Sequence, residues 1–255
     1  MTFPLPKPFP HKAYGSIPHL PGSKFGNRRD RGVHPGEARL YLERANPGDR
    51  IIVQEKLDGS CCAVAKVNGE ILALIRNGRP AAGSQWRQHR MFARWVAAHQ
   101  DQFAAYLEEG GRCVGEWLAQ AHGTRYDLLI DEDGVYRRSP FVIFDYFTPN
   151  NRRLPCIEAW IRTLKHDLAF VPVLASMAQA VPLDAALSLL GENGRYGARD
   201  GAEGVVYRRE TPDGIFLAKY VCPQKEPGRY LPGNDDPAAA VWNWLPAIWL
   251  DAERG

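Results

Sequence analysis

Glu55-Lys56-Leu57-Asp58-Gly59-Ser60 is the segment whose residue types and spacing could do chemistry. A lysine at the end of an apolar run, followed two residues later by a carboxylate and then by a glycine that permits a tight turn, can present an amine nucleophile. A free lysine titrates at about 10.4, so a site that uses it must lower that value by burial or by neighbouring cations, a metal ion among them. Five more candidates follow in order: Arg76, Glu116 in GEW, Phe144 in FDYF, Glu203 in EGVVYR and Lys219 in FLAKYV. Read singly, each also has a plain structural role. KxDG fits an ordinary strand end, Arg76 could pair with a carboxylate, Glu116 fits a surface strand, and Phe144 fits a core strand.

The elements that must position these residues are legible in periodicity and turn signals. RIIVQEKLDGS reads as a strand ending in a turn, and SCCAVAKV and EILALIR read as two more strands joined by a hairpin at Asn68-Gly69. Short strands are expected over 112–118, 140–147, 203–209 and 215–221. A helix is expected over about 84–108, with Ser84 as N-cap and Gly110-Gly111 as stop. Its stripe of Trp86, Phe92, Trp95, Val96, His99, Phe103 and Leu107 has helical spacing and reads as core. Further helices are expected near 155–166, 182–191 and 237–250, and residues 1–50, rich in proline and glycine, as an extended wrap. Hairpin-rich strands with interspersed helices argue for an α+β fold with antiparallel sheets. No GxxxxGK[ST] loop occurs, which excludes a P-loop enzyme.

Together, KxDG at Lys56, then Arg76, Glu116, Phe144, EGVV at Glu203 and Lys219 resemble the covalent nucleotidyltransferase superfamily of ATP-dependent ligases and capping enzymes. Within it the chain is most similar to the RNA ligases typified by the phage enzyme that seals nicks in duplex RNA. Two features carry that likeness: the lead-in YGSIPHLPGSK at 14–24, and the 36 residues after Lys219, too few for the OB domain that DNA ligases and capping enzymes carry there. The resemblance implies a ligase adenylation fold of antiparallel sheets flanked by helices, without an OB domain. It implies an adenylyltransferase domain over 1–225, with the lead-in 1–50, and a tail over 226–255 with a short helix.

The resemblance also implies the roles. Lys56 would attack the α-phosphate of ATP, form lysyl-AMP and expel pyrophosphate. Glu55 would contact the adenine, Asp58 and Gly59 would lie near ribose and metal, and Arg76 would clamp a phosphate. Glu116 would hold a ribose hydroxyl and Phe144 would stack on the base. Glu203, with Asp58, would bind Mg²⁺ or Mn²⁺, and Lys219 would neutralise charge on the α-phosphate. AMP would then pass to a 5′-phosphate RNA end, and a 3′-hydroxyl would displace it. One departure stands out: the family's last motif carries two lysines one residue apart, and here Lys219 is flanked at those positions by Leu217 and Val221. A cation is missing unless Lys225 or an arginine reaches in.

Composition bounds the rest. The 255 residues are 45% hydrophobic with 7 Trp, 10 Tyr and 10 Phe, which excludes general disorder. No apolar run is long enough for a membrane span, and the proline-broken start is unlike a signal peptide, so a cytoplasmic protein is expected. Five cysteines without a CxxC pair read as reduced thiols, with Cys61 and Cys62 on opposite faces of a strand. Net charge is only +3, but 24 of the 32 cations are arginine, which suits phosphate contacts as well as codon bias does. Clusters at Arg28, Arg29 and Arg31, at Arg137 and Arg138, and at Arg152 and Arg153 could track a nucleic acid, or a partner protein could supply the grip. His19 in IPHLP could line the nucleotide pocket or be structural. Trp242, Trp244 and Trp249 suggest a docked amphipathic element or a partner patch. The competing readings are a minimal DNA ligase and a nucleotide-bound module that recognises ends without sealing them.

Overall fold

The computed structural model describes residues 6–26, 28–129, 137–232 and 239–246. The chain forms helix α1 (Pro35–Leu42), strands β1 (Arg50–Lys56), β2 (Ser60–Val67) and β3 (Glu70–Ile75), and helices α2 (Arg87–Ala98) and α3 (Gln100–Tyr106). Then follow β4 (Arg112–Trp117), β5 (Phe141–Phe147), α4 (Cys156–Leu164), β6 (Val173–Met177), α5 (Leu183–Leu190), β7 (Gly204–Thr211) and β8 (Gly214–Val221). The strands build two four-stranded antiparallel sheets, ordered β6-β1-β7-β8 and β3-β2-β4-β5, so the architecture is the expected α+β one.

Each sheet buries one face under helices. Tyr41 of α1 and Ala186 and Leu190 of α5 join Ile51, Val53, Val205 and Tyr207 in the core of the first sheet. Phe92, Trp95 and Phe103 of α2 and α3 pack with Trp117 and Phe141 on the second sheet. That confirms the aromatic stripe as core, except that Trp86 is exposed. The other faces meet a smaller cluster in which Ala63, Ala65 and Val114 of the second sheet lie with Tyr14 of the lead-in and Leu217 of β8.

Several elements depart from the sequence reading. The helix expected over 84–108 is two helices that break at His99, whose φ of −115° and ψ of 19° leave the α region. Ser84 lies before α2, and its Oγ accepts from the Trp86 N–H; the N-cap position itself is Trp86. The lead-in is not wholly extended, because Pro35 at the first helical position starts α1. The short edge strand β6 was not anticipated. Over residues 241–246 the tail is extended rather than helical, held by the Asn243 and Trp244 N–H groups on the Ala119 carbonyl; residues 247–255, with Trp249, lie outside the described residues. Trp244 packs edge-on against Trp117, the docked element of the two readings.

Candidate active site

Strand register brings the first residues together. Lys56 ends β1 opposite Gly204, so Glu203, one residue before β7, stands beside it with Oε2 2.5 Å from Nζ. Gly204 has φ 154°, and a Cβ there would lie 1.9 Å from the Tyr220 carbonyl oxygen, so only glycine lets β7 start against β8 at this point. Gly59 likewise admits the chain close to β4: an added Cβ would meet the Trp117 carbonyl oxygen at 2.4 Å. Its N–H donates to Glu116 Oε1 at 3.1 Å. Asp58 Oδ2 accepts from the Gly123 N–H at 2.7 Å, and the Asp58 N–H donates to the Tyr126 hydroxyl.

A pocket opens between the sheets, lined by Glu55, Lys56, Arg76, Glu116, Phe144 and Lys219 among others. Six expected residues therefore share one cavity, while Asp58, Gly59 and Glu203 stand beside Lys56 and are not part of its lining. Phe144 sits at a bulge: Val114 pairs with Asp145 and Gly115 with Ile143, so Phe144 has no cross-strand partner. A bulge re-aims its side chain, which is why Phe144 is half-buried while both neighbours are fully buried. Glu55 Oε2 accepts from the N–H groups of Arg195 and Tyr196 at 2.7 and 3.1 Å, whereas its buried Oε1 has no partner. That oxygen lies against Gly194, where an added Cβ would meet it at 2.1 Å.

The charge balance reverses one expectation. Burial pulls the Lys56 amine down, but Glu203, Asp58 and Glu116 outweigh it, and the net shift is upward. The same crowding shows on the carboxyls: burial, reinforced by Asp58, pushes Glu203 up to about 8 and Glu116 up to about 7. The three carboxylates thus favour the charged form of the lysine, and burial opposes them. Lys219 is shifted down, by burial and then by Lys56.

The lead-in contributes more than its sequence suggested. Tyr14 and Ile17 line the pocket, Arg76 donates to the Gly15 carbonyl at 2.9 Å, the Leu20 N–H donates to the Lys219 carbonyl, and the Lys219 N–H donates to the Pro18 carbonyl. Asp145 was not anticipated. It accepts from Tyr14 Oη at 2.7 Å and pairs with Arg208 at 2.5 Å and Arg153 at 3.1 Å, tying lead-in and both sheets together beside Phe144. A charge inside the apolar run FVIFDYF was its only sequence signal. Gln54, also in the lining, carried none.

Of the two residues that flank Lys219 at motif spacing, Leu217 lines the pocket and Val221 does not. Lys225 does not replace the absent lysine, because its Nζ donates to the Asp200 and Gly201 carbonyls. His19 is structural: buried, outside the lining, and bonded to Ser23 Oγ at 2.7 Å. The arginine clusters divide, with Arg138 on the Asp127 carbonyl and Arg153 on Asp145, while Arg28, Arg31, Arg137 and Arg152 are exposed. All five cysteines are free; Cys62 is in the core and Cys61 lines the pocket. No helix among the described residues is long and apolar enough to cross a membrane.

Solved structures similar to this chain include an RNA ligase of Naegleria gruberi with ATP and manganese, at 18% identity and a TM-score of 0.48, with 69% of this chain and 51% of that one covered. An archaeal ATP-dependent RNA ligase is 22% identical with a TM-score of 0.44, covering 68% of this chain and 42% of that one. The chain spans about half the length of these ligases. No curated protein matches it. The model of the family described as RNA ligase matches residues 49–221, from the residue before β1 to the end of β8. That match takes in all eight strands and every pocket residue except those of the lead-in, and by it the chain belongs to the RNA ligase family.

Proposed function

We propose that this chain is an ATP-dependent RNA ligase that works through lysyl-AMP on Lys56. The observation that carries the reading is the convergence of Lys56, Arg76, Lys219, Glu55 and the bulged Phe144 on one pocket. An adenine stacked on Phe144 would lie near Glu55 of the same lining, and Arg76 and Lys219 would meet the phosphates. In the first step the Lys56 nitrogen bonds to the α-phosphorus, the bond to the bridging oxygen breaks, and pyrophosphate leaves with the electron pair. The 5′-phosphate of an RNA then takes the AMP from Lys56, and a 3′-hydroxyl displaces AMP to form the phosphodiester.

The residues suit a divalent ion. Among the described residues no group of three His, Cys, Asp or Glu side chains forms a metal cage. Glu203 and Asp58 would hold Mg²⁺ or Mn²⁺ together with phosphate oxygens, as is usual for magnesium. The ion would supply positive charge against the phosphates. With Glu203 and Asp58 so neutralised, the attraction that keeps the Lys56 proton would fall to that of Glu116, and burial and Lys219 would favour the free amine.

Leu217 favours a second reading, a nucleotide-bound module that recognises ends without sealing them, since only one cation of the lysine pair is present. Radiolabelled ATP separates the two: a ligase labels itself and then moves the label through a nicked RNA to release AMP with a sealed strand. Nucleotide binding without any self-labelling would favour the module. Sealing of a DNA nick in preference to an RNA nick would move the reading to a minimal DNA ligase.

A further inference from the structure

Helix α4 carries apolar side chains on the side it turns to solvent. Its buried residues are Cys156, Ala159 and Thr163. Ile157, Trp160, Ile161 and Leu164 are 53%, 42%, 45% and 53% exposed. Their spacing, i, i+3, i+4 and i+7, makes one continuous stripe along a two-turn helix. Four large apolar side chains in a row form one contiguous patch, unlike scattered exposed leucines.

Charges beside the stripe say what covers it. At 100° per residue, Glu158 and Lys165 fall on the same edge of the stripe, one near each end of the helix. Both are exposed, and among the described residues neither forms an ion pair. Two antiparallel copies of α4, related by a twofold axis between Trp160 and Ile161, would set Ile157 of each against Leu164 of the other. The same operation puts the charged edges side by side with opposite ends together, so Glu158 of each copy meets Lys165 of the other, twice. A parallel pairing would carry the two charged edges to opposite sides of the seam and leave Glu158 and Lys165 without each other. The surface is therefore complementary to itself, as an isologous contact requires.

We propose that α4 is the self-association surface of this chain, joining two copies through an antiparallel α4 pair. One helix face is small for an interface, so the dimer is weak and depends on concentration. The contact uses no residue that lines the pocket, and it stands or falls separately from the ligase reading.

Sedimentation velocity of the full chain over a roughly hundredfold concentration range reads the monomer–dimer shift directly. The mass is expected to rise towards the dimer with concentration, and Ile161→Asp is expected to hold it at the monomer. Because Ile161 is exposed, a far-UV circular dichroism spectrum unchanged from wild type shows that the variant is folded. Glu158→Lys and Lys165→Glu are each expected to weaken the dimer, and the double exchange to restore it. A wild-type chain that stays monomeric throughout, association unaffected by Ile161→Asp, or a double exchange no better than the single ones would each overturn the proposal.

Discussion

Two buried charged clusters, one around Asp145 and one around Lys56, are built on opposite plans. In the pocket lining, Asp145 is 1% exposed and is met by Arg208, Arg153 and the Tyr14 hydroxyl, while Arg208 is also shared with Glu210. Cations, carboxylates and hydrogen bonds balance, and the cluster joins β5 to β7 across the two sheets. Around Lys56 three carboxylates crowd one amine, and two of them are driven towards neutrality, Glu203 to about 8 and Glu116 to about 7. A paired buried charge fixes structure, whereas an unbalanced group of charges holds an interaction in reserve for something that arrives later.

The comparison can be broken by removing one member from each cluster. Arg208→Ala leaves Asp145 and Glu210 short of their buried partner, and we expect a loss of about 3–5 kcal/mol in urea unfolding. Glu203→Gln relieves crowding and leaves Asp58 and Glu116 beside Lys56. We expect stability within about 1 kcal/mol of wild type, but lysyl-AMP formation slowed about a hundredfold, a cost of about 2.7 kcal/mol in the barrier. If both variants lost stability alike, the two clusters would be of one kind. Tyr14→Phe removes a single buried hydrogen bond from the balanced cluster and should cost about 1 kcal/mol.

Proton linkage gives the smallest effect and sharpens the contrast. Glu203 and Glu116 titrate higher in the folded chain than in the unfolded one, so between about pH 4.5 and 8 the folded state binds more protons. Their contribution is full at the acid side of that window and is lost as pH rises through it. The thermal midpoint of the ligand-free chain should therefore fall relative to that of Glu203→Gln as pH rises from 5 to 8. Adding Mg²⁺ should shrink the difference. A gap that did not change with pH would show that Glu203 is not crowded as the geometry requires.

What was legible in the sequence was mostly local. Asn68-Gly69 marked its hairpin, KxDG its strand end and turn, and the aromatic stripe its core helix, because each rests on neighbours along the chain. The break at His99 was hidden because the apolar spacing continues through it into α3. β6 was missed as a short edge strand with only Ala175 buried, and α1 because proline and glycine dominate its surroundings. Six site residues were placed in one pocket as expected, yet Asp145 was overlooked, since Tyr14 and Arg208 approach it from 131 and 63 residues away. The upward shift of Lys56 was equally invisible, because it depends on Glu116 and Glu203, which come from other strands.

The most direct test of the account is the intact mass of the chain after incubation with ATP and Mg²⁺, for wild type and Lys56→Ala, on protein first shown to be free of AMP. The account predicts one added AMP on wild type, mapped to the peptide that contains Lys56, and none on the variant. An unmodified wild type, or an adduct that survives Lys56→Ala, would contradict it.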